Sequence, residues 1–561
     1  MPNRDLQKEY PELTDYSPLM RELLIARGID SKDEAEKFLH PSYTRDLHDP
    51  DLMHDMEKAC VRIFEAVEAK EKIVVYCDYD CDGIPGAVIM HDFFKKIGHT
   101  TTQIYIPDRH GEGYGLNKEA IEGFVKEGVT LLVTVDLGIS NVEEVAQAIT
   151  AGIQVIITDH HLPPPVLPHA FALVNPKLGE YPDPMLCGSG VAFKLVQALI
   201  KKYGEYWKIT EGWEKWLLDM AGLATLSDMV PLVKENRALA YFGLKVLQKT
   251  RRLGMLELLR KLDISPRHLT EDDLTFMVTP RINAASRMDS PMRAFELLST
   301  DTPAEAIALA EHLTKINDER KLHVAAIMKE AYKTLEKREL PELVIIGNPN
   351  WRVGVLGLVA SKISEEYGKT AFVWGMEGSN IIKGSCRGDG MVNVVTLMAQ
   401  AGEGTFLDYG GHELAGGFSV AHDRIHTLEA SLLEALPRSL RDLSETLENK
   451  YPVLPLSEVV MRTYEEISAL APFGLGNPKP IFLFELVHVD ALKLFGKEKN
   501  HLEIIVSDAG RSRVKAIAFF STESSFTKKV VKDEYCNLLA TFDLSHFAGR
   551  TELRLRIIDI L

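Results

Sequence analysis

Carboxylates recur in this 561-residue chain where they could hold metal ions. Asp78-Tyr79-Asp80-Cys81-Asp82-Gly83 puts three acids at alternate positions. Asp136 closes the run "VTLLVTV", Asp159-His160-His161 closes "IQVIIT", and Asp228 lies in "ATLSDMVPL". An EF-hand calcium loop shares the alternate-acid spacing, but it needs a glutamate at its twelfth position, where Ile89 stands. It also enters from a helix, and "KIVVYC" before Asp78 reads as a strand. Four or more buried carboxylates repel one another unless cations or protons neutralise them. Imidazoles beside them add nitrogen ligands that suit manganese, iron or zinc. Hydrolysis at two divalent ions about 3.5–4 Å apart, one carboxylate bridging them, is the chemistry such a set can do.

The fold must bring these residues together. Strand-like runs "KIVVYC", "TTQIYIP", "VTLLVTVD", "IQVIITD" and "FALVNP" alternate with helix-like "NKEAIEGFVKEG" and "NVEEVAQAITAG", which predicts a doubly wound parallel sheet. Ligands of such sheets bind outside the carboxyl ends of the strands, where the acids fall. Residues 1–70 read as helical, and Ala304 to about Glu339, free of Gly and Pro, as one long connecting helix. A second α/β region carries "ELVIIGN", "AFVWGM" and the glycine clusters "KGSCRGDG" and "YGGHELAGGF". Short runs "HLEIIVS", "RVKAIAFF", "CNLLATF" and "ELRLRIID" predict a small C-terminal barrel. The expected units are 1–70 (helical), 71–300 (parallel sheet), 301–340 (connecting helix), 341–450 (glycine-rich) and 451–561 (barrel).

Bulk properties narrow the class. No apolar stretch approaches the ~20 residues of a membrane span, and the first residues lack the basic-then-apolar order of a signal peptide. Six cysteines without regular spacing make no disulfide framework, and Cys77 and Cys81 have no second pair to complete a zinc site. A cytoplasmic protein is expected. Net charge is −17, yet the segment from Tyr451 onward carries equal numbers of basic and acidic residues. An acidic protein can still bind DNA through a local basic groove, so charge does not exclude that partner.

"DYDCDG", "VTVDLG", "TDHH" and "TLSDMVPL" resemble the four motifs of the DHH phosphoesterase superfamily. "YIPDRHGEGYGL", "LCGSGVAFKL", "PRINAASRM", "WRVGVLGLVASKI", "KGSCR" and "GGHELAGGF" narrow the resemblance to its RecJ family of single-strand-specific exonucleases; "PFGLGNPKPIF" and "GKEKNHLEI" resemble that family's OB-fold module. The resemblance implies that Asp80, Asp82, Asp136, His160 and Asp228 hold two divalent cations, Mn2+ or Mg2+, with Asp78 in or just outside that shell. It makes Asp136 the bridging ligand and points His161 at the scissile phosphate. Ser385, Arg387 and the Gly410-Gly411-His412 turn would grip a terminal phosphate, a role that glycine-rich backbone and a forked guanidinium suit independently. Arg281 and Asn283 would add phosphate contacts, and Tyr114 a stacking platform for a base.

The implied activity is 5′ to 3′ hydrolysis of single-stranded DNA in repair and recombination, by a monomer working with a single-strand-binding protein and a helicase. The alternatives are a phosphodiesterase of short oligonucleotides or cyclic dinucleotides, which the C-terminal barrel argues against, and a catalytically inactive DNA-binding or replisome scaffold, which the complete acid set argues against. The chain departs from the family pattern at Cys77, Pro85, Gly86, Ser286 and Arg352. Lys493, Lys497, Lys499, Arg511, Arg513 and Lys515 are expected to line a strand-capturing groove, and truncation near Tyr451 to spare cleavage of very short substrates.

Overall fold

The computed structural model of the chain describes residues 10–377, 381–436, 451–496, 498–547 and 550–561. Strands β1 (Ile73–Cys77), β2 (Thr102–Tyr105), β3 (Leu131–Val135), β4 (Gln154–Thr158) and β5 (Ala172–Val174) form a parallel sheet in the order β2-β1-β3-β4-β5. The alternation of β1 feeds two cores. Ile73, Val75 and Cys77 pack with Phe93 and Val191, from helices Gly83–Ile97 and Gly188–Tyr203. Val74 and Tyr76 pack with Ile121, Phe124 and Val145, from helices Lys118–Glu127 and Val142–Thr150. A sheet covered on both faces needs the near-continuous Val, Ile and Leu of these strands. The chain reverses its direction of sheet growth between β1 and β3, which opens a crevice at their carboxyl ends.

Helix Pro303–Leu335 spans 33 residues and joins two cores. Leu309, Leu313 and Ile316 lie in the first, and Val324, Ile327 and Met328 lie beneath the second sheet. That sheet comprises β6 (Val344–Gly347), β7 (Ala371–Gly375), β8 (Ile382–Arg387), β9 (Asp408–His412) and β10 (Ala415–Val420), ordered β6-β7-β8-β10-β9, and is antiparallel except for β6–β7. Three of its strands come from the glycine clusters, where sequence reading places none. The reason is visible at Gly384, whose cross-strand partner is Phe418: a Cβ there would fall 2.1 Å from the Phe418 ring. The aromatic ring supplies the apolar surface that the glycine lacks.

The C-terminal strands β11 (Phe482–Phe495), β12 (His501–Ser507), β13 (Arg513–Ala518), β14 (Tyr535–Phe547) and β15 (Arg550–Ile560) close into a barrel ordered β11-β12-β13-β15-β14. β11, the longest of them, is missed by sequence reading because irregularities at Phe484/Val487 and Val489/Ala491 break its alternation.

Segment 1–70 is not one unit. Leu13, Met20, Leu23, Leu24 and Ile29 share the barrel's core with Leu456, Phe482 and Phe484, whereas Met56, Ala59 and Ile63 belong to the first sheet's core. Periodicity reveals an apolar face but not what covers it. The expected outcome of truncation near Tyr451 is therefore corrected. Removing the barrel would uncover these N-terminal side chains, at about 1.5–3 kcal/mol for each fully buried one, and a truncated chain cannot report on substrate length alone.

Candidate metal centre and phosphate pocket

Cys77, Val135 and Thr158 are aligned across β1, β3 and β4, so the next residues, Asp78, Asp136 and Asp159, emerge at one level. The ladder continues through them: Asp78 donates its N–H to Val135 O at 3.2 Å, and Asp136 to Thr158 O at 3.0 Å. Asp136 adopts φ 64, a left-handed conformation that side chains other than Gly, Asn and Asp rarely take. Gly188 lies against it; a Cβ at 188 would fall 2.4 Å from Asp136 Oδ1. Asp82 is buried and accepts the N–H groups of Gly188 at 2.6 Å and Ser189 at 2.7 Å, at the N-terminus of helix Gly188–Tyr203, where the helix dipole favours an anion. Asp80 Oδ1 accepts from the N–H of Asp82 at 2.7 Å. Asp228 arrives from elsewhere, at the C-terminus of helix Leu218–Ser227.

Among the described residues, three groups each bring their ligand atoms within 4.8 Å of one another: Asp78, Asp80 and Asp136; Asp82, His160 and Asp228; and Asp136, His160 and His161. Asp78 Oδ1 and Asp136 Oδ1 are buried without a hydrogen-bond partner. Burial, and then the charges of neighbouring acids, push Asp78, Asp136 and Asp228 well above the usual carboxylate range, and Asp82 up to about 6. Orphaned buried oxygens in a cluster of mutually repelling acids fit divalent cations, which would satisfy both needs at once.

His160 is set up as a nitrogen ligand. Its Nδ1 lies 2.9 Å from Leu186 O, and because a carbonyl only accepts, Nδ1 carries the proton and leaves the Nε2 lone pair free. Nε2 lies 3.2 Å from Asp136 Oδ1 and 3.8 Å from Asp228 Oδ2. Burial, with the charge of His161, pushes the His160 imidazole down to about 3 and keeps it neutral. His161 runs the other way. Burial would lower it, but the hydrogen bond from Nδ1 to Asp159 Oδ1 at 2.7 Å and that acid's charge raise it. Burial would raise Asp159, and His161 holds it below its usual value. Asp159 also accepts the N–H of His160 and, through Oδ2, that of Ile139.

The second sheet meets this cluster edge-on. The rings of His412 on β9 and His161 stack 5.6 Å apart. Behind His412, Ser385 and Arg387 on β8 face the start of helix Leu356–Tyr367, where a Cβ at Gly357 would lie 3.2 Å from Arg387 Nη2 and 3.6 Å from Ser385 Oγ. Gly410 and Gly411 lie on the exposed edge strand β9. Arg287, pushed down to about 9 by burial and then by Arg109, Arg320 and Arg387, belongs to a group of like charges that an anion would relieve. Arg109 covers the ring of Tyr79 at 4.9 Å. Tyr114 is half-exposed with its hydroxyl 3.3 Å from His161 Nε2.

The other expected contacts sit differently. Arg281 donates to Met277 O at 2.6 Å, beside Asp318 and Arg320. Asn283 turns its amide oxygen to the N–H of Cys81 at 2.8 Å and so holds the acidic loop. Of the barrel's basic residues, Arg513 pairs with Asp490 at 3.0 Å, Lys515 pairs with Glu552 at 2.7 Å, and Lys493 stands across from Glu503. Lys497 lies outside the described residues. Sequence reading instead overlooks an aromatic group on the barrel, at the end away from Arg513: Phe495, His501, Phe519 and Phe520, with Arg556 over Phe519. Phe520 is 81% exposed and has φ 54, unusual for so bulky a residue. Arg109, Arg287 and Gly357 are also overlooked; each lies in a motif quoted above, but single residues carry no spacing signal. Asp159 is read only as one of the acids of the 159–161 triplet, without its own role. Among the departures, Arg352 is tied to Glu377 and Met288 O, and Ser286 is buried against Asn283 O.

Residues 72–225 match the DHH family, N-terminal domain; residues 341–448 match the DHHA1 domain; and residues 453–559 match the RecJ OB domain. The single-stranded-DNA-specific exonuclease RecJ of Escherichia coli (strain K12) is 30% identical over 582 residues, spanning 99% of this chain and 97% of that protein. This chain belongs to the RecJ family. The RecJ of Bacillus subtilis (strain 168) is 32% identical over 568 residues, spanning 100% of this chain and 70% of that protein. The crystal structure of RecJ from Thermus thermophilus in complex with Mn2+ aligns with a TM-score of 0.80 at 25% identity, over 99% of this chain and 78% of that one. Among the described residues, no helix is long and apolar enough to cross a membrane.

Proposed function

We propose that this protein is a metal-dependent exonuclease that hydrolyses single-stranded DNA from its 5′ end. The observation that supports this reading is the stacking of His161 on His412, which brings the acidic cluster against the sheet that carries Ser385 and Arg387. Asp78, Asp80, Asp82, Asp136, His160 and Asp228 would hold two ions. When bound, divalent ions supply Lewis acidity toward water and phosphoryl oxygen. Around them, Asp159 orients His161 and raises its basicity, which favours a protonated ring that donates a hydrogen bond to the phosphate where charge grows. Ser385, Arg387 and the edge Gly410-Gly411-His412 bind the terminal phosphate and so place the first internucleotide linkage at the acids. Tyr114 stacks on a base. Arg281, with Arg320, meets phosphates further along the strand, and Asn283 acts through the acidic loop it holds. The reading includes work as a monomer in the cytoplasm, in DNA repair and recombination, with a single-strand-binding protein and a helicase as partners.

Two substitutions test the substrate path. Arg387→Ala is expected to weaken 5′-phosphorylated strands about 10- to 150-fold more than 5′-hydroxyl strands, the value of a charge-assisted bidentate contact. Competition assays with both strand types check it, and equal losses would remove Arg387 from the terminal pocket. Phe520→Ala is expected to weaken strands long enough to reach the barrel by about 5- to 150-fold, the range for one base stacked on an aromatic ring, and to leave very short oligonucleotides unaffected. Fluorescence anisotropy against strand length would show it; losses independent of length would contradict it.

A further inference from the structure

Asp228 is the candidate ligand least supported by its own sheet. Its side chain is 27% exposed, against 2% for Asp82 and 3% for Asp136. The chain then runs through Met229, at φ 57 and 68% exposed, into Pro231 and Leu232. Val230 packs with Cys187 and Ala224 and Leu232 enters the first sheet's core, while the outer side of the loop is held by the C-terminal part of the chain. Leu232 donates its N–H to Leu475 O at 2.7 Å. A Cβ at Gly474 would fall 2.7 Å from Leu232 Cδ1, and one at Gly476, where φ is +75, 3.2 Å from Pro231 Cβ. Gly474 thus makes room for the Leu232 side chain, and Gly476 lets its backbone lie close to that of Pro231 and Leu232.

The stretch "APFGLGNP" (471–478) is itself fastened from three sides. Asn477 is fully buried and donates Nδ2 to Leu470 O and Pro472 O at 2.8 Å each, while its Oδ1 accepts from Arg27 Nε at 2.7 Å. Arg237, at the start of helix Lys234–Leu247, donates Nη2 to Ala471 O at 3.0 Å. Phe473 donates its N–H to Glu271 Oε1 at 3.2 Å. The loop so constrained lies against Pro231 and Leu232, three and four residues after a candidate ligand.

We infer that residues 471–478 are a positioning element for Asp228, so that the metal centre is completed by the C-terminal unit. The inference rests on the reading of Asp228 as a metal ligand. It makes the C-terminal unit part of the scaffold of the metal centre as well as a means of strand capture.

The test is Mn2+ binding to the full chain by calorimetry, with melting temperature and metal-free binding of single-stranded DNA measured alongside. Gly474→Ala is expected to weaken one Mn2+ by about 10- to 100-fold, the usual effect of disturbing a ligand's support. The site affected should be the one weakened by Asp228→Asn, with metal-free DNA binding unchanged. Gly123→Ala, where a Cβ meets nothing within 4 Å, is the control for the substitution itself and should bind Mn2+ as the parent does. Parent-like Mn2+ affinity in Gly474→Ala would overturn the inference. If Gly474→Ala fails to fold, hydrogen exchange on the parent chain decides: Mn2+ should slow exchange in 228–233 and 470–478 together, and an unchanged 470–478 would overturn it. A parent chain that binds no Mn2+, or Asp228→Asn binding it as the parent does, would instead bring down the metal reading.

Discussion

Asp136→Asn is expected to fold as the parent chain does and to lose at least about 10³-fold in turnover, roughly 4 kcal/mol at the transition state. Asp136 contributes to two of the three ligand groups, and its Oδ1 is buried and accepts no hydrogen bond. Removing its charge takes a ligand from both halves of the cluster. Asparagine is preferred to alanine because residue 136 has φ 64, which asparagine accepts and alanine does not. Loss of activity in the asparagine variant then reports on ligation, not backbone strain. The check is turnover of a labelled single strand in Mn2+, with circular dichroism and melting temperature to show the fold intact. Turnover within a few-fold of the parent would contradict a centre built on this residue.

His161→Ala is expected to reduce kcat by about 10²- to 10⁴-fold while leaving Mn2+ affinity close to that of the parent. Asp159 holds the Nδ1 side of the ring, so the other edge faces Tyr114 and the pocket that carries His412. The group Asp136, His160 and His161 also offers a geometry in which His161 would ligate. The two roles separate cleanly. A residue acting on the phosphate loses rate and keeps metal, whereas a ligand loses both. Single-turnover kinetics together with calorimetry distinguish them, and a joint loss would reassign His161 to the metals.

The catalytic half was legible in the sequence because each of three acids follows a β-branched run, and a parallel sheet places strand ends side by side. Asp228 was legible only through its motif, since it follows a helix and no periodicity ties it to the sheet. Asp159 reads in the sequence as part of a triplet, yet it holds the His161 ring and the N–H groups of Ile139, His160 and His161, which only the folded loop reveals. The second sheet was half legible: β6 and β7 are apolar runs, while β8, β9 and β10 are rich in glycine and owe their pairing to neighbours such as Phe418. Counting charges pointed to a basic groove on the barrel. The fold pairs Arg513 and Lys515 with acids from other strands and brings Phe519 and Phe520 beside His501. The union of residues 13–39 with the barrel lay beyond reach, because an amphipathic helix does not name its partner.

The most direct test of the central claim is the pattern of products from a 5′-phosphorylated single strand labelled at one end or the other, incubated with the full chain in Mn2+. Attack from the 5′ end predicts that the 5′ label is released at once as mononucleotide or a very short product. The 3′ label should pass through a ladder of steadily shortening strands, and a blunt duplex of the same sequence should stay intact. A ladder on the 5′ label, equal degradation of the duplex, or no cleavage of either strand in Mn2+ would contradict the account.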